Sequence, residues 1–316
     1  MFLPALLAGL LLTVEMEREA PRAAAVVVWT LAGAMVPLFF LSFASPQLGP
    51  VELWYSIRFR GWAENPNQLA LALSAVPFLA LYLAGRSAGW LRAAYYLLAG
   101  GSVLVGAATL SDGLIVAWAG ALGVVGVAAW GRALVRRHAG VLPAAVPYVL
   151  VPLAAITALA LAGPVLASAV SAQLRSIYST AGQGETRFTL WRNGLAAVES
   201  SPLFGLGPGA HSGYAGPHEG LEVHNTVLDW LGNTGFVGLS LFLAVLGWTV
   251  VRVLRRRSLM ALGALVSLLS ISAFHHVMRH PIFWLSLLVT ANLPWPDEPE
   301  RNPAAAPRPA AAGPPA

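Results

Sequence analysis

The chain has 316 residues, of which 57% are hydrophobic and only 10% charged, and its mean hydropathy is +0.68. Soluble domains carry about 25% charged residues, so the composition excludes an ordinary soluble protein and predicts an all-α polytopic transmembrane helix bundle. Cysteine is absent and all 19 basic side chains are arginine, for a formal charge of +5, which excludes disulfides, thiolate metal sites and cysteine nucleophiles.

Nine apolar runs follow along the chain: 2–14 (short), 24–44, 66–84, 93–109, 113–131, 143–167, 227–251, 259–275 and 279–293 (short). A span needs about 20 apolar residues. The stretch 93–131 is about twice that length and is split at Ser111-Asp112-Gly113. The N-terminal run has no basic leader and no small-residue cleavage site, so it is not read as a cleaved signal peptide. It reads as a partial helix or as the remnant of a longer N-terminal half. Residues 296–316 are rich in proline and alanine and predict a disordered tail. The bundle itself is predicted to run over 1–295.

Arginine clusters fall in alternate gaps: Arg18 and Arg22, then Arg86 and Arg92, then Arg132, Arg136 and Arg137, then Arg252, Arg255, Arg256 and Arg257. That alternation is the positive-inside pattern. With nine spans it predicts an outer N-terminus and a cytoplasmic tail. The arginines sit in short gaps between apolar runs, which is not a nucleic-acid footprint. The other gaps then face outward: 45–65, the break at Ser111-Asp112, the long loop 168–226, and 276–280. Those gaps hold the polar, glycine-rich and histidine-bearing stretches, so the chemistry is expected on the outer, extracytoplasmic face of the plasma membrane.

Within the long loop, ETRFTLWRNGLAAVES (185–200) predicts an amphipathic helix with Leu190, Leu195 and Val198 on one face and Trp191 near its edge. Arg187 lies at its start and Arg192 about a turn and a half further on. SSPLFGLGPG then breaks the helix. Gly205, Gly207 and Gly209 permit positive φ and close backbone approach, and successive N–H groups in such a turn can cradle an anion. The turn has no Walker lysine, and architecture is the alternative reading of its glycines.

His224-Asn225 opens the next run. A neutral histidine at a membrane surface can take a proton from a hydroxyl near neutral pH. Arginines facing it can hold a diphosphate through paired, charge-assisted hydrogen bonds. The plainer alternatives are headgroup contacts for Arg187 and Arg192 and a capping role for His224. Asp229 and Trp230 lie about one turn beyond. HEGLEVH, with His211, His218, Glu219 and Glu222 nearby, lacks the HExxH spacing, so no metal is expected. In HHVMRHP, the side chains of His275, His276, Arg279 and His280 can close a pocket or anchor at the interface.

Three motifs in order, R-F-x-L-W (187–191), S-P-L-F-G-L-G-P-G (201–209) and H-N-T-V-L-D-W-L-G-N-T-G-F-V-G (224–238), resemble the O-antigen ligase and O-antigen polymerase (Wzy-like) family of integral membrane glycosyltransferases. GWAENPNQLA (61–70) is similar to that family's G-x-x-x-N-P-N-x-L-A segment. The resemblance covers roughly residues 57–293. It implies a metal-independent, inverting transferase without a cofactor. The donor would be a glycan on undecaprenyl diphosphate, and the acceptor lipid A–core, a growing glycan or a protein.

Carried over by motif, Arg187 would contact the diphosphate and His224 would activate the acceptor, with Arg192 added to the cationic pocket. Asn65, Pro66 and Asn67 would be architectural or donor-facing, and Asn225 a supporting residue. One departure stands out. Where the family often has S-R-G with a second diphosphate-binding arginine, this chain has Ser111-Asp112-Gly113. Arg279, Arg58 or Arg60 can substitute from other outer loops. Otherwise specificity is altered or the chain is a non-catalytic relative. A lipid-linked glycan transporter is the further alternative, and the absence of paired broken helices in the sequence pattern counts against it.

Overall fold

The computed structural model describes residues 2–138, 183–207, 223, 225–275, 277 and 280–294, with side chains from Glu19 to Leu134 and from Thr189 onward within those ranges. The predicted run 143–167, most of the loop 168–226 and the tail 296–316 lie outside the described residues. The fold is helical: α1 (Phe2–Leu41), α2 (Pro66–Leu73), α3 (Val76–Arg86), α4 (Gly89–Ala108), α5 (Asp112–His138), α6 (Gln183–Ser200), α7 (Thr226–Arg256), α8 (Leu259–Ser272) and α9 (Pro281–Asn292). Among the described residues, five segments are long and apolar enough to cross a membrane: Glu19–Leu41, Pro66–Arg86, Gly89–Ala108, Asp112–Leu134 and Thr226–Arg256. Helices α8 and α9 are apolar but shorter.

Two expectations about the spans are corrected. The runs 2–14 and 24–44 form a single helix, α1, that continues through Glu15–Pro21. Glutamate, methionine, arginine and alanine of Glu15–Ala20 are good helix formers without an intervening glycine, and the helix continues past Pro21 in its interior. Arg22 also pairs with Glu19 one turn back at 2.9 Å. The turnaround predicted there is absent. The split of 93–131 does occur: α4 ends at Ala108, Leu110 adopts a positive φ of 48°, and α5 starts at Asp112.

The run 66–84 is interrupted at Ser74-Ala75, between α2 and α3. Pro77 stands in the first turn of α3 and has no N–H to continue the ladder. A carbonyl freed inside a bundle must find a donor. Ser74 carbonyl finds two: Trp118 Nε1–H from α5 at 2.9 Å and Ser267 Oγ–H from α8 at 2.8 Å. This segment is the centre of the bundle, 78% buried against 17% for Asp112–Leu134. Around it α3 packs on α1, α4 and α8, while α5 lies along α8 and α9 touches α1, α7 and α8. Gly113 lies beside Phe274 and Gly263 beside Val125, so α5 and α8 run antiparallel.

The packing defines two ends. At the cationic end, Tyr82 Oη–H donates to Pro294 carbonyl at 2.9 Å. There Arg252 donates Nε–H to Ala291 carbonyl at 3.1 Å and Nη2–H to Asn292 Oδ1 at 2.9 Å, covering the open C-terminus of α9. The opposite end carries the sequence motifs. The gap 45–65 is ordered there as two short antiparallel hairpins, β1 (Gln47–Leu48) with β2 (Val51–Glu52) and β3 (Trp54–Tyr55) with β4 (Arg58–Phe59). Buried Phe59 holds them to the end of α1 by edge contacts with Phe39 and Trp54, at 5.2 and 5.3 Å between ring centroids.

The Ser74 latch makes a measurable prediction. Trp118→Phe and Ser267→Ala should each cost about 1 kcal/mol, and the double variant should cost more than their sum, because Ser74 carbonyl is then buried without a donor. Thermal unfolding of the purified protein in detergent reads this. Strict additivity would show that the two donors do not share one acceptor.

Candidate functional site at the motif end

The Asn65-Pro66-Asn67 stretch begins α2. Asn65 is the N-cap, with φ −146° and ψ 160°, and its Oδ1 accepts from Gln68 N–H at 3.0 Å. Pro66 takes the first helical position, where a missing N–H costs nothing. Asn67 then faces a different partner. Its Oδ1 accepts from Arg58 Nη2–H at 2.7 Å, while Arg58 Nε–H donates to Thr109 carbonyl at 2.8 Å in the α4–α5 turn. Arg58 is thereby pinned between two turns of the bundle. Burial pulls its pKa below the usual value, and the charges of Asp112 and Tyr55 push it back up. Asp112 itself is exposed.

The beginning of α7 is tied to the same region. Asn225 is its N-cap, with Oδ1 accepting from Leu228 N–H at 3.1 Å, and its Nδ2–H donates to Ala273 carbonyl at 3.3 Å. Thr226 Oγ1–H donates to His275 carbonyl at 2.5 Å and accepts from Val277 N–H at 3.1 Å. His275 is buried, and its Nε2 would lie 3.2 Å from a Cβ at Gly113, next to Asp112. The turn 273–277 thus joins the start of α7 to the start of α5.

Helix α7 is broken at Gly235, which has φ 64° and ψ −168°. At 1.5 Å per residue its 31 residues would measure about 46 Å, well over the roughly 30 Å of a hydrocarbon core. The break leaves Phe236–Arg256, about 21 residues, which is the length of one span. Trp230 and Phe242 confirm the bend. Twelve residues apart on a straight helix would put them about 18 Å apart along the axis, yet their rings stack at 4.8 Å. The sequence pattern carried no paired broken helices, and the structure interrupts two spans, at Ser74-Ala75 and at Gly235. Neither leaves a hydropathy signal, because both breaks are built from apolar and small residues.

The segment Pro202–Gly207 fills the second break. Leu206 N–H and Gly207 N–H donate to Gly232 and Asn233 carbonyls at 2.9 and 3.0 Å. Phe236 N–H and Val237 N–H donate in return to Pro202 and Leu203 carbonyls at 2.8 and 3.2 Å. One loop so covers the open carbonyls of the first helical piece and the open amides of the second. The backbones meet so closely that a Cβ on Gly205 would lie 2.4 Å from Asn233 C, and one on Gly235 would lie 2.3 Å from Leu203 C. Under the break, Asp229 is fully buried and accepts from Asn233 Nδ2–H at 2.9 Å.

Helix α6 packs on α7, and of the face expected Leu190 and Val198 are buried while Leu195 is not. The buried stripe is Leu190, Gly194, Ala197 and Val198, whereas Leu195 is 51% exposed. Positions 190, 194 and 197–198 follow the helical repeat, and residue 195 falls off that stripe. Val223 seats against Gly194, where a Cβ would come within 2.9 Å.

Of the residues singled out in the sequence, Asn67 is bonded to Arg58 and Asp112 acts on Arg58 through its charge without contact, Asn65 and Asn225 are helix caps, and Gly205 lies in the break. Gly207 adopts a φ of 89° beside it. Arg192 is exposed. Arg187 belongs to the α6 backbone, but its side chain, together with His224, Arg279 and Gly209, lies outside the described residues. Gly235 and the Asp229–Asn233 pair were not singled out as a unit. The dense glycines of GNTGFVG inside an apolar run were the available signal for Gly235.

Alanine substitutions should rank accordingly. Gly205→Ala and Gly235→Ala meet backbone and should cost about 3 kcal/mol or more, whereas Gly207→Ala, which has open space, should cost about 1–2 kcal/mol from its positive φ alone. Melting temperatures of the three variants in detergent test the ranking. Equal losses at 205 and 207 would contradict it.

No curated protein matches the chain. Residues 94–243, from α4 through the break in α7, match the family model described as O-antigen ligase. These residues include Asp112, the α6 helix and the Gly205–Gly235 junction, and over them, a little under half of its length, the chain is similar to the O-antigen ligase family, a match that points to membrane glycan transfer.

Proposed function

We propose that the chain is a membrane glycosyltransferase that moves a glycan from undecaprenyl diphosphate to an acceptor hydroxyl on lipid A–core, a growing glycan or a protein. His224 takes the proton from the acceptor hydroxyl. The freed oxygen attacks the anomeric carbon from the face opposite the diphosphate, so configuration inverts. The bond from carbon to diphosphate oxygen breaks, and undecaprenyl diphosphate leaves with its charge held by Arg187, Arg192 and Arg279. Neither a metal nor a cofactor takes part.

The observation that carries this reading is the convergence of four elements on the motif end. The Asn65-capped start of α2, the Thr109–Gly113 turn, the Asn225-capped start of α7 and the 273–277 turn are joined there by side-chain contacts. His224 is adjacent in sequence to Asn225. The arginines gathered at the other end favour a cytoplasmic location for that end. The motif end is then extracytoplasmic, in a multi-pass protein of the bacterial inner membrane.

The transporter reading draws on the two interrupted spans. Both breaks are occupied by protein donors and acceptors, however, rather than lining a polar path. Asp112 is the feature that favours a non-catalytic relative, and the same assay decides it.

The test is transfer from a lipid-diphosphate-linked glycan by the reconstituted full chain. His224→Ala should lower turnover about 100- to 10,000-fold while leaving the melting temperature unchanged. Undiminished transfer in that variant removes His224 from the mechanism. No transfer by the wild-type chain with any of the three acceptor classes rejects the enzyme.

A further inference from the structure

We infer that Arg58 is a phosphate-binding residue of the motif end, held in position by Asn67 and Thr109 and charge-balanced by Asp112. This rests on the proposed transfer reaction only for the source of the phosphate, which we take to be the polyprenyl diphosphate donor.

A guanidinium has five N–H donors. Arg58 commits Nε–H to Thr109 carbonyl and one Nη2–H to Asn67 Oδ1. Among the described residues no other hydrogen bond or contact ion pair takes the remaining three. Its neighbour Arg60 is different. Arg60 Nε–H donates to Glu52 carbonyl, Nη1–H donates to Glu64 carbonyl, and Nη2 lies 3.9 Å from Glu52 Oε2, so its charge is answered within the hairpins. Arg192 is exposed, and its side chain is free to move in water.

Arg58 combines partial burial, two fixed anchors on separate elements and open donors. That combination suits phosphate. An anchored planar fork loses little freedom on binding, and charge-assisted bonds to phosphoryl oxygens strengthen where water is thinned. Asp112 acts on Arg58 through its field and not through contact, and from an exposed position where water screens it. It balances the empty site without occupying the donors. A bound diphosphate would feel Asp112 as a like charge, which gives the test a sign.

The experiment titrates a short-chain polyprenyl diphosphate into the full chain in detergent, with melting temperature followed in parallel. Arg58→Gln should weaken binding about tenfold or more, and Arg58→Lys should recover part of the loss. Asp112→Asn, which breaks no hydrogen bond, should tighten binding about threefold. If Arg58→Gln fails to fold, Asp112→Asn still decides: unchanged or weaker binding overturns the inference. Unchanged affinity in a folded Arg58→Gln variant also overturns it.

Two competitors identify the source. Inorganic pyrophosphate that competes with the donor only when Arg58 is present supports the diphosphate assignment. Phosphatidylglycerol that competes as well as the polyprenyl diphosphate makes Arg58 a headgroup anchor and overturns it. Arg58-dependent binding without any transfer would reject the proposed function and leave this inference standing. Transfer with Arg58-independent binding would do the reverse.

Discussion

Backbone polar groups inside a membrane bundle must be satisfied by protein, and the structure turns on how that is done at Gly235. Breaking a helix there frees carbonyls on one side and amides on the other. Each such group left bare in an apolar surrounding costs several kcal/mol. The segment Pro202–Gly207 meets both sets with four hydrogen bonds between backbones. It can do so only because Gly205 and Gly235 lack the Cβ atoms that would collide with the facing chain. The motifs at 201–209 and 224–238, far enough apart to be read separately in the sequence, are therefore one physical object. Their order along the chain reflects a junction that needs both halves.

That junction determines where the polar residues of α7 end up. The bend separates the span proper from a short leading helix that carries Asp229 and Asn233 and begins at the Asn225 cap. A charged side chain buried in the hydrocarbon would be costly, whereas on the leading helix Asp229 is surrounded by protein and bonded to Asn233. The same arrangement lets Asn225 and Thr226 reach the 273–277 turn, and through His275 the start of α5. Packing, helix capping and the placement of the motif end are consequences of one interruption.

The span pattern was legible because it rests on hydropathy and arginine placement, which lipid imposes directly. The break at Ser111 to Asp112 and the positive-φ glycines at 205 and 207 were legible for local reasons: a polar interruption in an overlong run, and glycine in a turn. What could not be read were features set by tertiary partners. The continuity of α1 through Glu15–Pro21 depends on helix propensity winning over a charge cluster that equally suits a loop. The break at Ser74 depends on donors contributed from Trp118 and Ser267, far along the chain. Leu195 was assigned to the buried face, whereas the small residues Gly194 and Ala197 are buried beside Leu190 and Val198 and Val223 seats against Gly194. Arg58 was one of three arginines that the sequence offered as substitutes, and what distinguishes it, its anchoring by Asn67 and Thr109, is a tertiary feature.

The interrupted spans bear on how the site works. In proteins that alternate access, broken helices line a cavity and offer their open ends to the cargo. Here the ends at Ser74 are taken by an indole and a hydroxyl from two other helices, and those at Gly235 by a loop of the same chain. Opening the break at Ser74 would strip one carbonyl of two donors, and opening that at Gly235 would expose four backbone pairs at once. Both breaks are better suited to fixing positions than to changing them. Group transfer at a stationary site has that requirement, since donor phosphates and acceptor hydroxyl must be held within bonding distance while charge develops. A bundle latched at its centre by Ser74 and at its motif end by Gly205 and Gly235 provides a rigid frame, and the anchored guanidinium of Arg58 is the kind of group such a frame can hold ready.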